Sequence, residues 1–262
     1  MNWRQIIPTA FTIAAMLAGF LSILVTIEGM RTDVDTIYRW SALLIMLAMI
    51  LDGIDGNIAR ALKGQTDFGA ELDTYVDLTA FGLAPAILIY AVTLTSKEPV
   101  WRIVLPSAVA LSGVVRLARF KAKDPLRGQA GYAGLPITGN AGWVALFVFI
   151  SQTPPRDNLS LNHGLVAALF LAGIATFIVL QVTNLRYPKP TKKAWMFVPC
   201  VILVALLFVP NERFSVVVAV TILCMGLAYG IFGPLFVKTV EVHKARRDAI
   251  RNGNGAGRVA GA

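Results

Sequence analysis

The stretch that decides the fold of this chain is residues 52–77, DGIDGNIARALKGQTDFGAELDTYVD. Asp52 and Asp55 are three residues apart, and Asp73 and Asp77 are four residues apart. Residues at these separations share one face of a helix. The pattern therefore predicts two helices that are joined by a short turn, each presenting two carboxylates to the other.

Four carboxylates that meet at the end of an apolar helix pair repel one another and lose their hydration, so they need a compensating positive charge. Carboxylate oxygens suit Mg²⁺, Mn²⁺ or Ca²⁺, and no His or Cys stands nearby to indicate zinc. We therefore predict that two divalent cations, Mg²⁺ or Mn²⁺, bind to Asp52, Asp55, Asp73 and Asp77. The alternative is a cation transporter, but its ion pathway predicts acids that are scattered at mid-span over several helices.

The rest of the chain is apolar enough for a membrane protein. It has 262 residues, of which 56% are hydrophobic and 15% charged, and its mean hydropathy is +0.66. A soluble domain has about 25% charged residues, and a helix needs about 20 apolar residues to cross a bilayer. The uncharged runs predict an all-α integral membrane protein with eight spans, of which the fifth and seventh are short. The spans are residues 7–27, 41–62, 70–95, 100–120, 137–152, 164–183, 194–209 and 214–237.

The net charge of +9 is unevenly placed along these spans. Most of the 24 Lys and Arg residues fall on the side that also holds the amino terminus and the four acids. The positive-inside rule places this side in the cytoplasm. We therefore expect a multi-pass protein of the cell inner membrane with its acid site facing the cytoplasm, and membrane lipids as partners. The basic residues sit in short loops between spans, so we expect no nucleic acid partner.

Small residues and arginines accompany the acids. Gly56, Ala59 and Gly69 leave room for a flat base or a phosphate to approach the helices, with close helix packing as the alternative explanation. Arg116 and Arg119 lie one helical turn apart near the expected end of the fourth span, where a guanidinium can bind phosphate or carboxylate. The alternative for this pair is the positive-inside bias alone.

The motif Asp52-x2-Asp55-Gly56-x2-Ala59-Arg60-x8-Gly69-x3-Asp73-x3-Asp77 resembles the signature of the CDP-alcohol phosphatidyltransferase family at every fixed position. Members of that family transfer a phosphatidyl group from a CDP-lipid to an alcohol, release CMP, and hold a divalent metal pair on the acids. They share a core of six membrane helices and are typically homodimers. The resemblance implies a six-helix catalytic core over residues 1–190, two additional transmembrane helices over 191–240, and a basic cytoplasmic tail over 241–262.

Further stretches are similar to the membrane-embedded phosphatidylserine synthases of this family. They are FGLAPA at 81–86, RLARF at 116–120, GLP at 134–136 and NLRYP at 184–188. This similarity implies CDP-diacylglycerol as the donor and L-serine as the acceptor. Glycerol 3-phosphate, inositol and inositol phosphate stay open as other acceptors.

The resemblance also implies a role for each motif residue. Asp77 is then both a metal ligand and the base that takes the proton from the alcohol, while Arg116 and Arg119 bind the acceptor carboxylate or the lipid phosphate. Thr12 in the first span is assigned to the CDP subsite, with a hydroxyl that is bonded back to its own helix as the alternative. The full set expected to bind CDP is Thr12, Gly56, Ala59, Arg60 and Gly69.

Overall fold

The structure is a computed structural model, and it describes residues 2–32, 34, 36–93, 99–122, 132–153, 160–161, 163–187 and 194–259. Helices dominate this part of the chain. They are α1 (Trp3–Thr32), α2 (Thr36–Leu62), α3 (Asp67–Val76), α4 (Ala84–Val92), α5 (Pro99–Ala122), α6 (Ile137–Ser151), α7 (Gly164–Val182), α8 (Ala194–Ala205) and α9 (Glu212–Val259). A π-helical segment, Asp77–Leu83, joins α3 to α4, and a 3₁₀ turn, Leu206–Phe208, follows α8.

Six of these helical stretches are long and apolar enough to cross a membrane. The predicted fifth and seventh spans correspond to shorter apolar helices, Ile137–Ser151 and Val198–Phe208. The prediction of a helical, multi-pass membrane protein is therefore confirmed, whereas the division into a six-helix core and two added helices stays a prediction. The six long stretches are Trp3–Thr32, Thr36–Leu62, Asp67–Val92, Val100–Ala122, Gly164–Val182 and Glu212–Thr239.

The π-helical segment lies at the centre of the packing. A Cβ atom added to Gly19 of α1 would lie 2.5 Å from the Cβ of Ala80, so α1 touches this segment directly. A Cβ added to Gly113 of α5 would lie 2.8 Å from the side chain of Ile137 and 3.7 Å from the Cα of Gly82. Small residues allow helix backbones to approach this closely in membranes. Three helices, α1, α5 and α6, thus fix the position of the segment that begins at Asp77.

A short β-ribbon is a feature that the sequence did not predict. The two-residue strands β1 (Tyr132–Ala133) and β2 (Arg186–Tyr187) pair antiparallel, with Tyr132 opposite Tyr187. Beside the ribbon, Gly134 adopts a φ of 76°, and its N–H donates to the carbonyl of Leu185 at 2.8 Å. A side chain at Gly134 would also lie 2.5 Å from the carbonyl oxygen of Gln181. The GLP stretch before α6 is therefore fastened to the end of α7.

Helix α9 packs against the rest of the molecule at both ends of its apolar part. Near its start, Glu212 pairs with Arg39 at 3.3 Å, and the Arg39 guanidinium also lies 5.2 Å from the centre of the Phe149 ring. Farther along, the Tyr187 hydroxyl donates to the carbonyl of Gly230 at 3.3 Å. The last described helix is thereby attached to α2, α6 and the ribbon.

Candidate active site at the ends of α2 and α3

A tight turn links the two helices that carry the acids. The N–H of Gly64 donates to the carbonyl of Ala59 at 2.9 Å, and the N–H of Lys63 donates to the carbonyl of Arg60 at 3.3 Å. These bonds, with Lys63 at a φ of 52°, form a Schellman motif that ends α2. A Cβ at Gly64 would lie 2.0 Å from the carbonyl oxygen of Arg4, so the turn also rests on the start of α1.

The first turn of α3 is fixed by a side-chain cap. The Gly69 N–H donates to the Thr66 hydroxyl at 3.0 Å, which satisfies one of the free N–H groups at the helix start. Asp67 adds a negative charge in this first turn, where the helix dipole favours it. The turn and the cap together set the direction of α3 relative to α2.

Three of the four predicted metal ligands converge across these helices. One carboxylate oxygen each of Asp52, Asp55 and Asp73 lies within 4.8 Å of the others. Asp77 falls outside this cluster, yet it is close enough to interact electrostatically with Asp52 and Asp73. The structure therefore brings together three of the four acids that were predicted to meet, while the part of Asp77 stays a prediction.

The acid cluster fits a divalent cation. Asp55 is 5% exposed, and within the described part of the chain neither Asp52 Oδ1 nor Asp55 Oδ2, both buried, has a hydrogen-bond partner. One carboxylate oxygen each of Asp52 and Asp73 lies within 4.8 Å of the other, and two ionised carboxylates at this separation repel each other unless a cation or a proton compensates their charge. Buried carboxylate oxygens without partners are costly, and hard cations such as Mg²⁺ or Mn²⁺ bind oxygen ligands. The cluster can thus hold a metal ion, while a second ion and the part of Asp77 stay predictions.

Of the two arginines that were predicted to bind a substrate, Arg116 lies near the acids. It is half-buried on α5 and interacts electrostatically with Asp77. An ion pair between Lys121 and Glu71 joins the end of α5 to α3 nearby. The end of α5 is therefore held beside the acid-bearing helices, where Arg116 is near enough to Asp77 to interact with it electrostatically.

Arg119 makes a different contact. Its Nη1 donates to the carbonyl of Val182 at 2.6 Å, at the carboxyl end of α7. A cation at this position satisfies a free carbonyl and interacts favourably with the helix dipole. The structure thus gives Arg119 a helix-capping contact, and its predicted part in binding a substrate stays a prediction.

Thr12 lies at the edge of the acid cluster and is 6% exposed. Its hydroxyl donates to the carbonyl of Pro8 at 3.0 Å, which is the alternative considered for this residue. The same hydroxyl is near enough to interact with the Asp55 carboxylate. A hydroxyl has a single proton, which Thr12 donates to the Pro8 carbonyl in this structure. The predicted part of Thr12 in binding CDP stays a prediction.

Close helix packing does not account for the two motif glycines. A Cβ at Gly56 would meet the Arg60 guanidinium at 3.5 Å, which is an ordinary contact distance. A Cβ at Gly69 would approach the capping hydroxyl of Thr66 at 3.1 Å, within its own turn. By contrast, Gly19 is pressed against a neighbouring helix. Among the described residues, no neighbouring helix therefore packs against Gly56, and the group nearest to its surface is the Arg60 guanidinium.

Asn57 is a polar residue at this surface that was not singled out from the sequence. Its Nδ2 donates to the carbonyl of Gly53 at 2.7 Å, and its Oδ1 accepts from Arg60 Nη2 at 3.0 Å. The Asn57 and Arg60 spacing of three residues on a helix was the available signal, since such residues are neighbours on the helix surface. The Arg60 side chain consequently folds back along α2.

Comparisons with known proteins agree with this geometry. A model of the family described as CDP-alcohol phosphatidyltransferase matches residues 5–183. A protein from Helicobacter pylori, named CDP-diacylglycerol–serine O-phosphatidyltransferase, is 28% identical over 253 residues, which cover 95% of this chain and 99% of the relative.

Two other relatives carry the same name. One, from Methanocaldococcus jannaschii, is 31% identical over 80% of this chain and 90% of its own length. The other, from Mycobacterium tuberculosis, is 38% identical over 52% of this chain and 46% of its own length. Because the family model spans most of α1 to α7, including every acid of the cluster, this chain belongs to the CDP-alcohol phosphatidyltransferase family.

Proposed function

We propose that this chain transfers the phosphatidyl group of CDP-diacylglycerol to the hydroxyl of L-serine and releases CMP. The observation that carries the proposal is the convergence of Asp52, Asp55 and Asp73 at the adjoining ends of two apolar helices. The relatives from Helicobacter pylori and Methanocaldococcus jannaschii, which align with most of this chain, have names that specify this donor and acceptor.

The position of the acids suits a lipid donor. A CDP-lipid keeps its acyl chains in the bilayer while its diphosphate lies at the polar boundary, where α2 ends and α3 begins. The distribution of Lys and Arg supports a cytoplasmic location for this boundary in the inner membrane. A cytosolic amino acid can reach the site from that side.

Two divalent cations belong to the proposal, held by Asp52, Asp55, Asp73 and Asp77. When bound there, such cations would supply positive charge that offsets the charge of the diphosphate and of the departing CMP. The four carboxylates contribute by placing this positive charge at one point on the membrane boundary. The CDP group is proposed to bind at Gly56, against which no neighbouring helix packs in the described part of the chain, and at Ala59, Arg60, Gly69 and Thr12.

The reaction is a direct displacement. The serine oxygen attacks the phosphorus that bears the diacylglycerol, and the bond from that phosphorus to the CMP oxygen breaks. A serine hydroxyl is a poor nucleophile at neutral pH, so a nearby base must take its proton. Asp77 is proposed as this base. Arg116, which interacts with Asp77, is proposed to bind the serine carboxylate or the lipid phosphate, with Arg119 farther along the same helix.

The protein is further proposed to act as a homodimer. Chemical crosslinking in native membranes checks the dimer: a crosslinked species of twice the monomer mass supports it, and a monomer alone at all crosslinker concentrations contradicts it.

Within each protomer, the six-helix core over residues 1–190 would be the catalytic unit, and the helices over 191–240 would be additions to it.

An acceptor screen tests the proposed reaction. The purified protein is reconstituted in liposomes that contain CDP-diacylglycerol and Mg²⁺, and each alcohol is added in turn: L-serine, glycerol 3-phosphate, inositol and inositol phosphate. We expect CMP release and phosphatidylserine with L-serine alone, measured by mass spectrometry. A product with another alcohol and none with serine would replace the acceptor. Cation flux across sealed vesicles without CMP release from any mixture would replace the reaction class.

A further inference from the structure

Asn57 stands at one of the two unspecified positions of the motif between Gly56 and Ala59, and both ends of its side-chain amide are engaged. The Nδ2 group donates to the carbonyl of Gly53 at 2.7 Å, one turn earlier in α2. The Oδ1 atom accepts from Arg60 Nη2 at 3.0 Å. Asn57 is thus anchored to the helix backbone at one end and holds a guanidinium at the other.

This arrangement places the Arg60 guanidinium over Gly56. A Cβ built on Gly56 would lie 3.5 Å from Nη1 and 3.8 Å from Nη2 of Arg60. The same guanidinium interacts electrostatically with the carboxylate of Asp55, which belongs to the acid cluster. A guanidinium has five N–H donors, and the bond to Asn57 uses one of them.

We infer that Asn57 is a positioning residue, which holds the Arg60 guanidinium ready to bind the diphosphate of the CDP-lipid; this inference rests on the proposed function. An arginine without such a partner samples many rotamers and loses that freedom when it binds phosphate. Asn57 restricts these rotamers before the substrate arrives, so binding loses less conformational entropy.

If Asn57 only supported the fold, its replacement would lower the thermal stability of the protein. A side chain that bonds to the carbonyl four residues earlier slightly destabilises a helix, and Asn is a weaker helix former than Leu. Replacing Asn57 by Leu should therefore keep or raise the thermal stability of the protein. A loss of substrate affinity without a loss of stability would separate positioning from support of the fold.

A double-mutant cycle tests the inference on the full-length protein in detergent micelles with Mg²⁺. The variants are Asn57→Leu, Arg60→Met and the two together, and the measured quantities are the Kd for CDP-diacylglycerol by calorimetry and the Tm. We expect Asn57→Leu alone to weaken binding about threefold to tenfold. In the Arg60→Met background the same change should have no further effect, because Asn57 acts through Arg60.

The matched control is Thr176→Ala on α7, which removes a side-chain bond of the same kind, from Thr176 Oγ1 to the carbonyl of Ala172 at 2.8 Å. It should leave the Kd unchanged. Additive losses in the cycle, or an unchanged or tighter Kd in Asn57→Leu, would overturn the positioning of Arg60 while leaving the proposed reaction intact. An absence of CDP-diacylglycerol binding by the unsubstituted protein would overturn the proposed function and this inference together.

Discussion

At the scale of single residues, the acid cluster combines a functional need with a cost to stability. Asp52, Asp55 and Asp73 bring like charges within a few ångströms of one another, and two of their oxygens are buried without hydrogen bonds from the described residues. Like charges that are removed from water destabilise a fold unless a counter-charge is present. Substitutions here should therefore act in opposite directions on stability and on activity.

The change Asp52→Asn tests this opposition. Without one metal ligand, turnover of CDP-diacylglycerol should fall about a hundredfold or more. In EDTA the same variant should melt at a higher temperature than the unsubstituted protein, because one repelling charge is gone. Release of CMP and thermal melting in detergent measure the two effects. The control for turnover is Asp67→Asn, which removes a charge in the first turn of α3 outside the cluster. A Tm of Asp52→Asn below that of the unsubstituted protein in EDTA would contradict the prediction.

Two glycines give a matched pair of substitutions. Gly56→Ala places a methyl group at an ordinary contact distance and improves helix propensity by up to about 1 kcal/mol, so the fold should persist while the KM for CDP-diacylglycerol rises. Gly19→Ala places the same methyl group 2.5 Å from the Cβ of Ala80, so it should lower the Tm. Kinetics and melting curves of both variants distinguish the cases. An unchanged KM in Gly56→Ala would remove the argument for a ligand surface there.

At the scale of helices and turns, the link between α2 and α3 has a lysine in the left-handed backbone conformation, which glycine adopts at a lower steric cost. Lys63 has a φ of 52°, where glycine has no steric penalty. The next residue, Gly64, lies where a side chain would collide with the Arg4 carbonyl. Replacing Lys63 by Gly should therefore stabilise the fold, whereas adding a side chain at Gly64 should destabilise it.

The change Lys63→Gly should raise the unfolding free energy by up to about 1 kcal/mol, because it relieves the left-handed strain without removing a described hydrogen bond. Gly64→Ala should lower the Tm and weaken metal binding, since the turn must move away from α1 and carry α3 with it. Melting curves and Mn²⁺ titration check both variants. A stable Gly64→Ala protein with normal Mn²⁺ affinity would contradict the contact with Arg4.

Helix periodicity predicted α2, α3 and the meeting of their acids, because spacings of three and four residues express the geometry of a helix directly. It could not predict the π-helical segment, since the bond from the Ala84 N–H to the carbonyl of Thr79 depends on how α1, α5 and α6 pack around it. The ribbon was also beyond reach, because two-residue strands have no periodic pattern and their partners are separated by two helices along the chain. The contact between Asn57 and Arg60 was not predicted either, although the i, i+3 spacing of these two residues is visible in the sequence.

At the scale of the whole molecule, metal binding and folding are linked through the acid cluster. A cation that binds the folded state but not the unfolded chain stabilises the fold by about 2.7 kcal/mol at a hundred times its Kd. Helices α2 and α3 both contribute ligands, so this stabilisation applies to their mutual packing. The stability of the protein in detergent should therefore depend on divalent cations.

Titration with Mg²⁺ after EDTA treatment should raise the Tm progressively until the site is saturated. The increase should be absent in Asp52→Asn, which lacks one ligand. K⁺ at the same ionic strength serves as the control for general screening of charges. A Tm that rises equally with K⁺, or equally in both proteins, would show that the acids hold no specific cation.

The π-helical segment has one more consequence. Its wider hydrogen-bonding pattern, from one residue to the fifth after it, amounts to one extra residue within an otherwise regular span. Deleting a residue between 78 and 83 would restore an ordinary helix and rotate α4 by about 100° relative to α3. The extra residue thus sets the rotation of the lipid-embedded half of the span relative to the half that carries the carboxylates.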